Sequence, residues 1–395
     1  MLVHFTLLLT CWLSLLRPAA GLPHQSAASG LRPAVVRTLR ATVLAEAAWA
    51  LQQAPRTVTD SVAARSAGGP HDFFSEGDYW WPDPAHPGGP YVQRDGQTNP
   101  ANFGAHRRAM IRFSRIVGAL ASAYQLTHRE KYARHALVHL RAWFLDPATR
   151  MHPSLLYAQA ISGRFTGRGI GIIDTIQLLE VAQGVRVFEG ARCFGAADVA
   201  GIKDWFSRYL TWLTTHPYGQ DERNAANNHG TCWTMQVAAF ARLTGNEELL
   251  GFCRERYKTV LLPTQMAADG SFPLELKRTK PYGYSLFNLD AFTTLCAILS
   301  TPTDNLWTYQ TPDGRSIRRG IEFLHPYLSD KSRWPFAPDV MYWENWPVAP
   351  PALVLGAVQF RNCQWLATWQ RLDHSPRVAE VLRNLPVRHP LLWLE

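Results

Sequence analysis

Charge is scarce in this chain, and so are cysteines and long apolar runs. Asp, Glu, Lys and Arg make up 18% of 395 residues against 47% hydrophobic, the balance of a soluble globular protein long enough to bury a sizeable core. The six cysteines are scattered and show no CxxC spacing. A zinc site is therefore not expected, and one disulfide is possible, with no assignable pairing. No block of Lys and Arg and no basic helix stands out, so nucleic acid is not an expected partner. Past the N-terminus no run is long and apolar enough to cross a bilayer, which leaves no expected membrane partner. Strand-like alternation is almost missing too.

What is present begins with an apolar leader. Residues 1–21, MLVHFTLLLTCWLSLLRPAAG, combine an apolar run from Phe5 to Leu16 with Ala19-Ala20-Gly21. That is the pattern of an export signal with a small-residue cleavage site, and it predicts a periplasmic or secreted protein. The Leu-Leu-Thr before Cys11 is a poor lipobox, so lipid anchoring is set aside. Cleavage removes Arg17 and no acid, taking the formal charge from +9 to +8. A basic exported protein is suited to polyanions such as acidic polysaccharide. Fifteen tryptophans and 12% aromatics supply flat apolar faces as well as core.

Helical periodicity dominates the rest. It predicts helices over Arg107–Leu126, Glu130–Phe144, Ile172–Phe188, Ala197–Leu213, Thr231–Leu243, Glu247–Leu262, Leu286–Leu299, Arg315–Leu328 and Pro351–Arg371. Ala123–Tyr132 (AYQLTHREKY) and Phe240–Leu249 (FARLTGNEEL) are weakly self-similar. Each ends an apolar helix at Leu-Thr, turns at His or Gly, and starts a second helix at an acid. Recurring helical hairpins of this kind predict an all-α fold, an (α/α) toroid or incomplete helical barrel, in one domain over 30–395.

Between the helices lie rich loops, where function concentrates. They are 75–100 (SEGDYWWPDPAHPGGPYVQRDGQTNP), 157–171 (YAQAISGRFTGRGIG) and 334–347 (WPFAPDVMYWENWP). A fourth, NAANNHGTCW over Asn224–Trp233, is poor core material. Asn227 or Asn228 can cap the following helix, which accounts for one amide. The other amide and His229 can hold an anionic group at a helix N-terminus. Further on, DGSFPLELKRTKPYGYSLFNLDAF over 269–292 places Arg278 and Lys280 just before Tyr282 and Tyr284. A nearby cation stabilises phenolate and lowers a tyrosine pKa, so either tyrosine is a candidate proton carrier.

NNHG and DGSFPLELKRTKPYGYSLFNLDAF, together with DYWWPDP, YVQRDGQTNP and YAQAISGRFTGRGIGIID, resemble the alginate lyase family of polysaccharide lyases, from about Asp78 to Pro347. The resemblance implies an (α/α) toroid and β-elimination of a uronate polymer, with no metal and no cofactor. It places the catalytic set on Asn228, His229, Arg278 and Tyr284, with Tyr282 as a possible substitute because the Arg-to-Tyr interval is one residue shorter here. The aromatic pair that follows Asn-Asn-His in the family is replaced by Gly230-Thr231-Cys232. The substrate class therefore stays between alginate, glucuronan and other uronate polymers.

In that chemistry Asn228, His229 and Arg278 neutralise the uronate carboxylate and stabilise the enolate-like intermediate. Tyr284 as phenolate, or His229, takes the C5 proton, and Tyr284 protonates the leaving oxygen. Substrate-binding candidates are Trp80 and Trp81, which either stack on sugar rings or plug the toroid mouth, with Tyr157 and Gln159. Arg164 and Arg168 either pair with substrate carboxylates or make surface salt bridges. Asn227, Tyr282, Tyr342, Trp343 and Glu344 complete the set. Two other classes compete. A glycoside hydrolase would use a carboxylate pair drawn from Asp174, Asp269, Glu275, Asp290 and Glu344. A non-catalytic sugar-binding protein would need the aromatics alone.

Overall fold

Residues 27–394 are described by the computed structural model, with side chains from Gly30 onward; the predicted export signal and Cys11 lie outside them. Fifteen α-helices run through the described residues: α1 (Ala27–Ala50), α2 (Ala105–Thr127), α3 (Glu130–Phe144), α4 (Leu178–Phe188), α5 (Ala196–Thr215), α6 (Pro217–Asn224), α7 (Asn228–Thr244), α8 (Glu247–Arg256), α9 (Leu262–Gln265), α10 (Pro273–Leu276), α11 (Pro281–Leu299), α12 (Ile317–Ser329), α13 (Pro351–Gln359), α14 (Cys363–Arg371) and α15 (Ala379–Arg383). Strand is confined to two small pairs. β1 (Phe74–Glu76) lies parallel to β4 (Tyr157–Ala160), and β2 (Trp80–Trp81) lies antiparallel to β3 (Val92–Gln93).

The fold is an all-α helical toroid. Helix α2 packs on α4, α4 on α7, α7 on α11, α11 on α13, α13 on α1 and α1 back on α2, which closes an inner ring. Composition explains which helices go inside. In α11 almost every residue from Pro281 to Leu299 is buried, and α7 and α13 are nearly as buried all round. A helix without a polar face is stable only when surrounded. The outer helices carry one stripe each: Ile317, Gly320, Ile321, Leu324 and Leu328 are the buried residues of α12.

The two similar hairpins have one physical basis. His128 and Gly245 both adopt the left-handed conformation at the C-caps of α2 and α7, with φ of 51° and 75°. Each returns its N–H to a carbonyl four residues back, from Tyr124 and Ala241. That cap ends the inner helix and releases the chain outward.

Several helix limits differ from the periodicity. Helix α7 begins at Asn228 and α11 at Pro281, so residues expected in loops occupy first turns. The expected helix over Pro351–Arg371 breaks at Arg361, whose φ is 54°, and Asn362 caps α14 by accepting from Trp365 N at 3.0 Å. The segment 172–188 begins as 3-10 helix up to Gln177. Beyond α8 the chain runs through a π turn, Tyr257–Leu261. Helix α1, not among the expected helices, buries Leu31, Val35, Leu39, Val43 and Ala47 at four-residue spacing against its ring neighbours. All five described cysteines are free.

Gly230 shows how tightly the start of α7 is held. A Cβ there would sit 2.2 Å from Ala225 O, and a backbone atom cannot move aside cheaply. Gly230→Ala is expected to cost about 1–3 kcal/mol, as overpacking does, and to lower Tm in thermal unfolding while disturbing the adjacent Asn-His turn.

Candidate active site

Four inner helices begin at one cleft of about 580 Å³. Arg107 in the first turn of α2, Gln177 just before α4, Asn228 and His229 opening α7, and Tyr284 in the first turn of α11 all border it. A helix N-terminus presents free N–H groups and positive potential, so this end of the ring favours anions.

Asn227 is the N-cap of α7, accepting from His229 N at 3.3 Å. Asn228 and His229 then project from the first turn, each backed by a carboxylate. Glu275, on α10, accepts from Asn228 N and from Asn228 Nδ2, both at 2.7 Å. Glu222, on α6, meets His229 Nδ1 at 2.7 Å and is itself buried. Burial works against charge on His229, but Glu222 outweighs it with help from Glu275, and the imidazole pKa stands above its usual 6.5. The Glu275 carboxyl is raised as well, by burial, which outweighs the bonds from Asn228.

Across the cleft, the guanidinium of Arg278 lies 4.5 Å from the Tyr284 ring centroid, with Nη2 3.5 Å from the hydroxyl. Arg278 is also anchored to Asp95 through Nη2 at 2.7 Å and Nε at 3.2 Å, and Asp95 is held below the usual carboxylate range by it despite burial. The Tyr284 hydroxyl lies 2.6 Å from that of Tyr79, and Lys280 Nζ sits 5.4 Å from the Tyr284 ring. The expected depression of the phenol pKa does not occur in the free cleft. Burial dominates, Tyr79 adds to it, and Tyr284 is raised well above 10 although Arg278 pulls it down.

The floor is an ion network. Arg107 binds Asp174 through two nitrogens at 3.1 Å and Asp78 at 2.7 Å, and Arg383 closes on Asp78 from the other side. Gln159 borders the cleft with a strained φ of 50°, a conformation a non-glycine residue holds only under constraint. The constraint is visible: Gln159 N donates to Ser75 Oγ at 2.9 Å, and Gln159 O accepts from Arg168 Nε at 2.9 Å. Burial lowers the Arg168 pKa.

The structure thus brings Trp80, Gln159, Arg168, Asn227, Asn228, His229, Arg278 and Tyr284 to one cleft. The other substrate-binding candidates do not border it. Tyr282 is fully buried, donates its hydroxyl to Tyr327 O at 3.0 Å, and packs edge-on against Trp334 and Trp343. Trp343 belongs to that aromatic cluster and stacks under Lys331. Glu344 is exposed and reaches Lys331 at 3.6 Å. Tyr342 faces Lys280 across 5.5 Å, and Tyr157 pairs with Phe74 in the β1–β4 ladder. Trp81 is tied to Gln97 O at 3.0 Å under Arg94. Arg164 donates to Tyr91 O at 2.9 Å and lies over Trp80, which places both beside the rim. Sequence reasoning missed Tyr79, Asp95, Glu222 and Arg383. DYWW and QRDG were noticed for their aromatics and turns, while Glu222 and Arg383 carry no local signal. Among the described residues, no group of three or more His, Cys, Asp or Glu side chains is arranged to hold a metal ion.

A crystal structure of an alginate lyase from Bacteroides ovatus superposes with a TM-score of 0.80 at 31% identity, covering 93% of this chain and 97% of that one. An alginate lyase A1-III variant complexed with a tetrasaccharide matches with a TM-score of 0.53 at 16% identity, over 79% of this chain and 83% of that one, a likeness of fold alone. No curated protein matches the chain. The family model for alginate lyase matches residues 57–334, and the chain therefore belongs to the alginate lyase family of polysaccharide lyases.

Proposed function

We propose that the enzyme cleaves a uronic-acid polysaccharide, of alginate (polymannuronate) or glucuronan type, by metal-independent β-elimination that leaves an unsaturated uronate end. The exported location predicted from residues 1–21 is part of this reading. The observation that carries it is the opposition of Asn228 and His229, at the N-terminus of α7, to Arg278 and Tyr284 across one cleft. The C5 proton of a uronate is barely acidic while its carboxylate is ionised. One amide proton of Asn228, His229 as imidazolium and the guanidinium of Arg278 supply donors to that carboxylate, and their bonds strengthen as charge moves onto it in the transition state. These fixed cations take the role that a metal ion fills elsewhere.

Tyr284 is a phenol at rest, which suits it to protonate the leaving glycosidic oxygen. Where the C5 proton and the C4 oxygen share a face, the Tyr284 oxygen serves both transfers. Its own proton passes to solvent before the reaction, the phenolate, favoured by Arg278, takes the C5 proton, and the same proton then goes to the leaving C4 oxygen. The hydrolase reading loses its carboxylates. Asp174 is bound by Arg107, Glu275 by Asn228, Asp290 accepts from Ala352 N at 2.9 Å in the core, Asp269 accepts from Ser271 N in a turn, and Glu344 is exposed away from the cleft. A purely sugar-binding protein has no use for a histidine–carboxylate dyad facing an arginine–tyrosine pair.

Incubation with a panel of polymannuronate, polyguluronate and glucuronan, followed by ultraviolet absorbance, tests the reaction. Absorbance of an unsaturated product is expected, unchanged by chelators. New reducing ends without it would establish hydrolysis instead, and loss of activity with a chelator would overturn the metal-free mechanism.

Tyr284→Phe is expected to reduce kcat by about 10²–10⁴-fold, the usual contribution of a proton-transfer group, with unchanged circular dichroism. Tyr282→Phe should lower Tm by removing the bond to Tyr327 O and leave kcat within a small factor. The reverse pattern would move the chemistry to Tyr282.

Glu222 sets the pH response. With its pKa raised, His229 stays an imidazolium to higher pH, so activity that needs the cation falls as pH rises through that pKa. Glu222→Gln removes the charge and should move the alkaline limb of the kcat/KM profile towards acid by about 1–3 units. A shift of an acidic limb instead would mean that neutral His229 acts as the base.

A further inference from the structure

We propose that Arg168, with Arg164 at the rim, binds the carboxylate of a second uronate residue, adjacent in the polymer to the one that reacts, while Trp80 carries that residue's ring. The inference rests on the lyase reading above and deepens it: the enzyme selects polymers in which uronates follow one another.

Among the guanidiniums that border the cleft, Arg168 alone lacks an ionic partner. Arg107 pairs with Asp174 and Asp78, Arg278 with Asp95, and Arg383 with Asp78 and Glu380. No carboxylate among the described residues forms an ion pair with Arg168. Burial lowers its pKa, and Glu222, Asp174 and Asp78 offset this only from a distance. Its Nε donates to Gln159 O at 2.9 Å, and its Nη2 reaches Gln159 Oε1 at 3.4 Å. Nη1 makes no bond among the described residues and is not a buried atom, so its N–H groups are accessible on the cleft side that Arg168 borders. A half-buried cation without a counterion is costly, and a carboxylate is the group a guanidinium fork satisfies best.

Arg164 is unpaired in the same way. Its Nε donates to Tyr91 O at 2.9 Å, and no carboxylate reaches it among the described residues. Neither arginine therefore makes the surface salt bridge that its sequence also allowed. Both approach one indole: Arg164 Cζ lies 5.5 Å and Arg168 Cζ 5.8 Å from the Trp80 ring centroid. Trp80 is half-buried and borders the cleft. An indole suits the apolar face of a sugar ring, and guanidiniums beside it suit a charged substituent on that ring.

This platform adjoins the reacting position. Tyr79, whose hydroxyl meets that of Tyr284 at 2.6 Å, immediately precedes Trp80, and successive Cα atoms are about 3.8 Å apart. The carboxylate of the reacting uronate already has Asn228, His229 and Arg278. Arg168, on a different loop, is left for a second carboxylate. A polymer that alternates uronate with neutral sugar would set an uncharged residue against it.

The test uses the uronan that the wild-type protein cleaves, intact and with part of its carboxyls reduced to primary alcohols. On the reduced polymer, mass spectrometry of wild-type products is expected to find a uronate, and rarely a reduced residue, at one fixed position flanking the cut. Arg168→Gln should lose that bias and raise KM on the intact polymer by about 10–100-fold, with kcat within a small factor. Arg164→Gln, at the exposed rim, should raise KM by about two- to fivefold. Arg168→Lys keeps the charge without the fork to Gln159 and should retain part of the bias. If Lys loses the bias as fully as Gln, Arg168 is a brace for Gln159 and the proposal fails. A fall in kcat at unchanged KM would instead place Arg168 at the reacting residue. No bias in the wild type, or a bias that survives Arg168→Gln, would overturn the inference and leave the lyase reading intact. Wild-type protein that forms no unsaturated product from any uronan would defeat that reading, and this inference with it.

Discussion

The cleft depends on Glu275 holding Asn228 by two bonds. One goes to the backbone N–H and one to the side-chain amide, both 2.7 Å long. The backbone bond satisfies a donor that the helix itself cannot. The side-chain bond fixes the amide rotamer, so that its remaining N–H points in one direction only. Glu222 does the same for the next residue through His229 Nδ1. Neither carboxylate is replaceable by an apolar group: losing Glu275 would leave two buried donors of Asn228 unsatisfied, at about 1–3 kcal/mol each, and losing Glu222 would leave the His229 cation uncompensated, at about 3–5 kcal/mol. Two adjacent residues are thereby aimed by two acids from different helices, and the start of α7 becomes a rigid wall.

Net charge does not explain how such a wall takes an anion. The cations bordering the cleft, Arg107, Arg168, Arg278 and Arg383, are matched by Asp78, Asp95, Asp174, Asp221 and Glu222. What remains is direction. Carboxylates on the floor and behind the walls hold the cations and amide in place, and the starts of four inner helices face the same space. Each helix contributes about half a positive charge at its N-terminus, and this does not need a counterion to stay oriented. The ring topology supplies this by bringing the starts of α2, α4, α7 and α11 to one cleft.

Much of this was legible in the sequence, for identifiable reasons. Apolar periodicity revealed most of the inner and outer helices, though not α1 or the break between α13 and α14, and Leu-Thr followed by His or Gly revealed the hairpin caps, because both signals are local. NNHG and the Arg278-to-Tyr284 stretch revealed four residues that now border the cleft, since amides, imidazole, guanidinium and phenol are unusual company at helix starts. Glu222, Asp95 and Arg383 were invisible because their partners are far along the chain: Asp95 meets Arg278 from a different loop, and Arg383 meets Asp78 across nearly the whole sequence. The packing of Trp343 was hidden for a related reason. An aromatic-rich loop reads as a binding surface, whereas here it packs around Tyr282.

The choice between Tyr282 and Tyr284 shows where the limit lies. In a loop, two tyrosines separated by one residue can face the same way, and only the family resemblance prefers Tyr284 to Tyr282. Once α11 begins at Pro281, the two positions stand about 200° apart on the helix, so only one of them can face the cleft. Asp339 makes that choice firm by accepting from Tyr282 N and Gly283 N, both at 2.9 Å, which ties the first turn down and commits Tyr282 to the aromatic core. Tyr284 is then the residue left beside Arg278, with Tyr79 as its hydroxyl partner. A one-turn shift in where a helix starts therefore decides which phenol is available for chemistry.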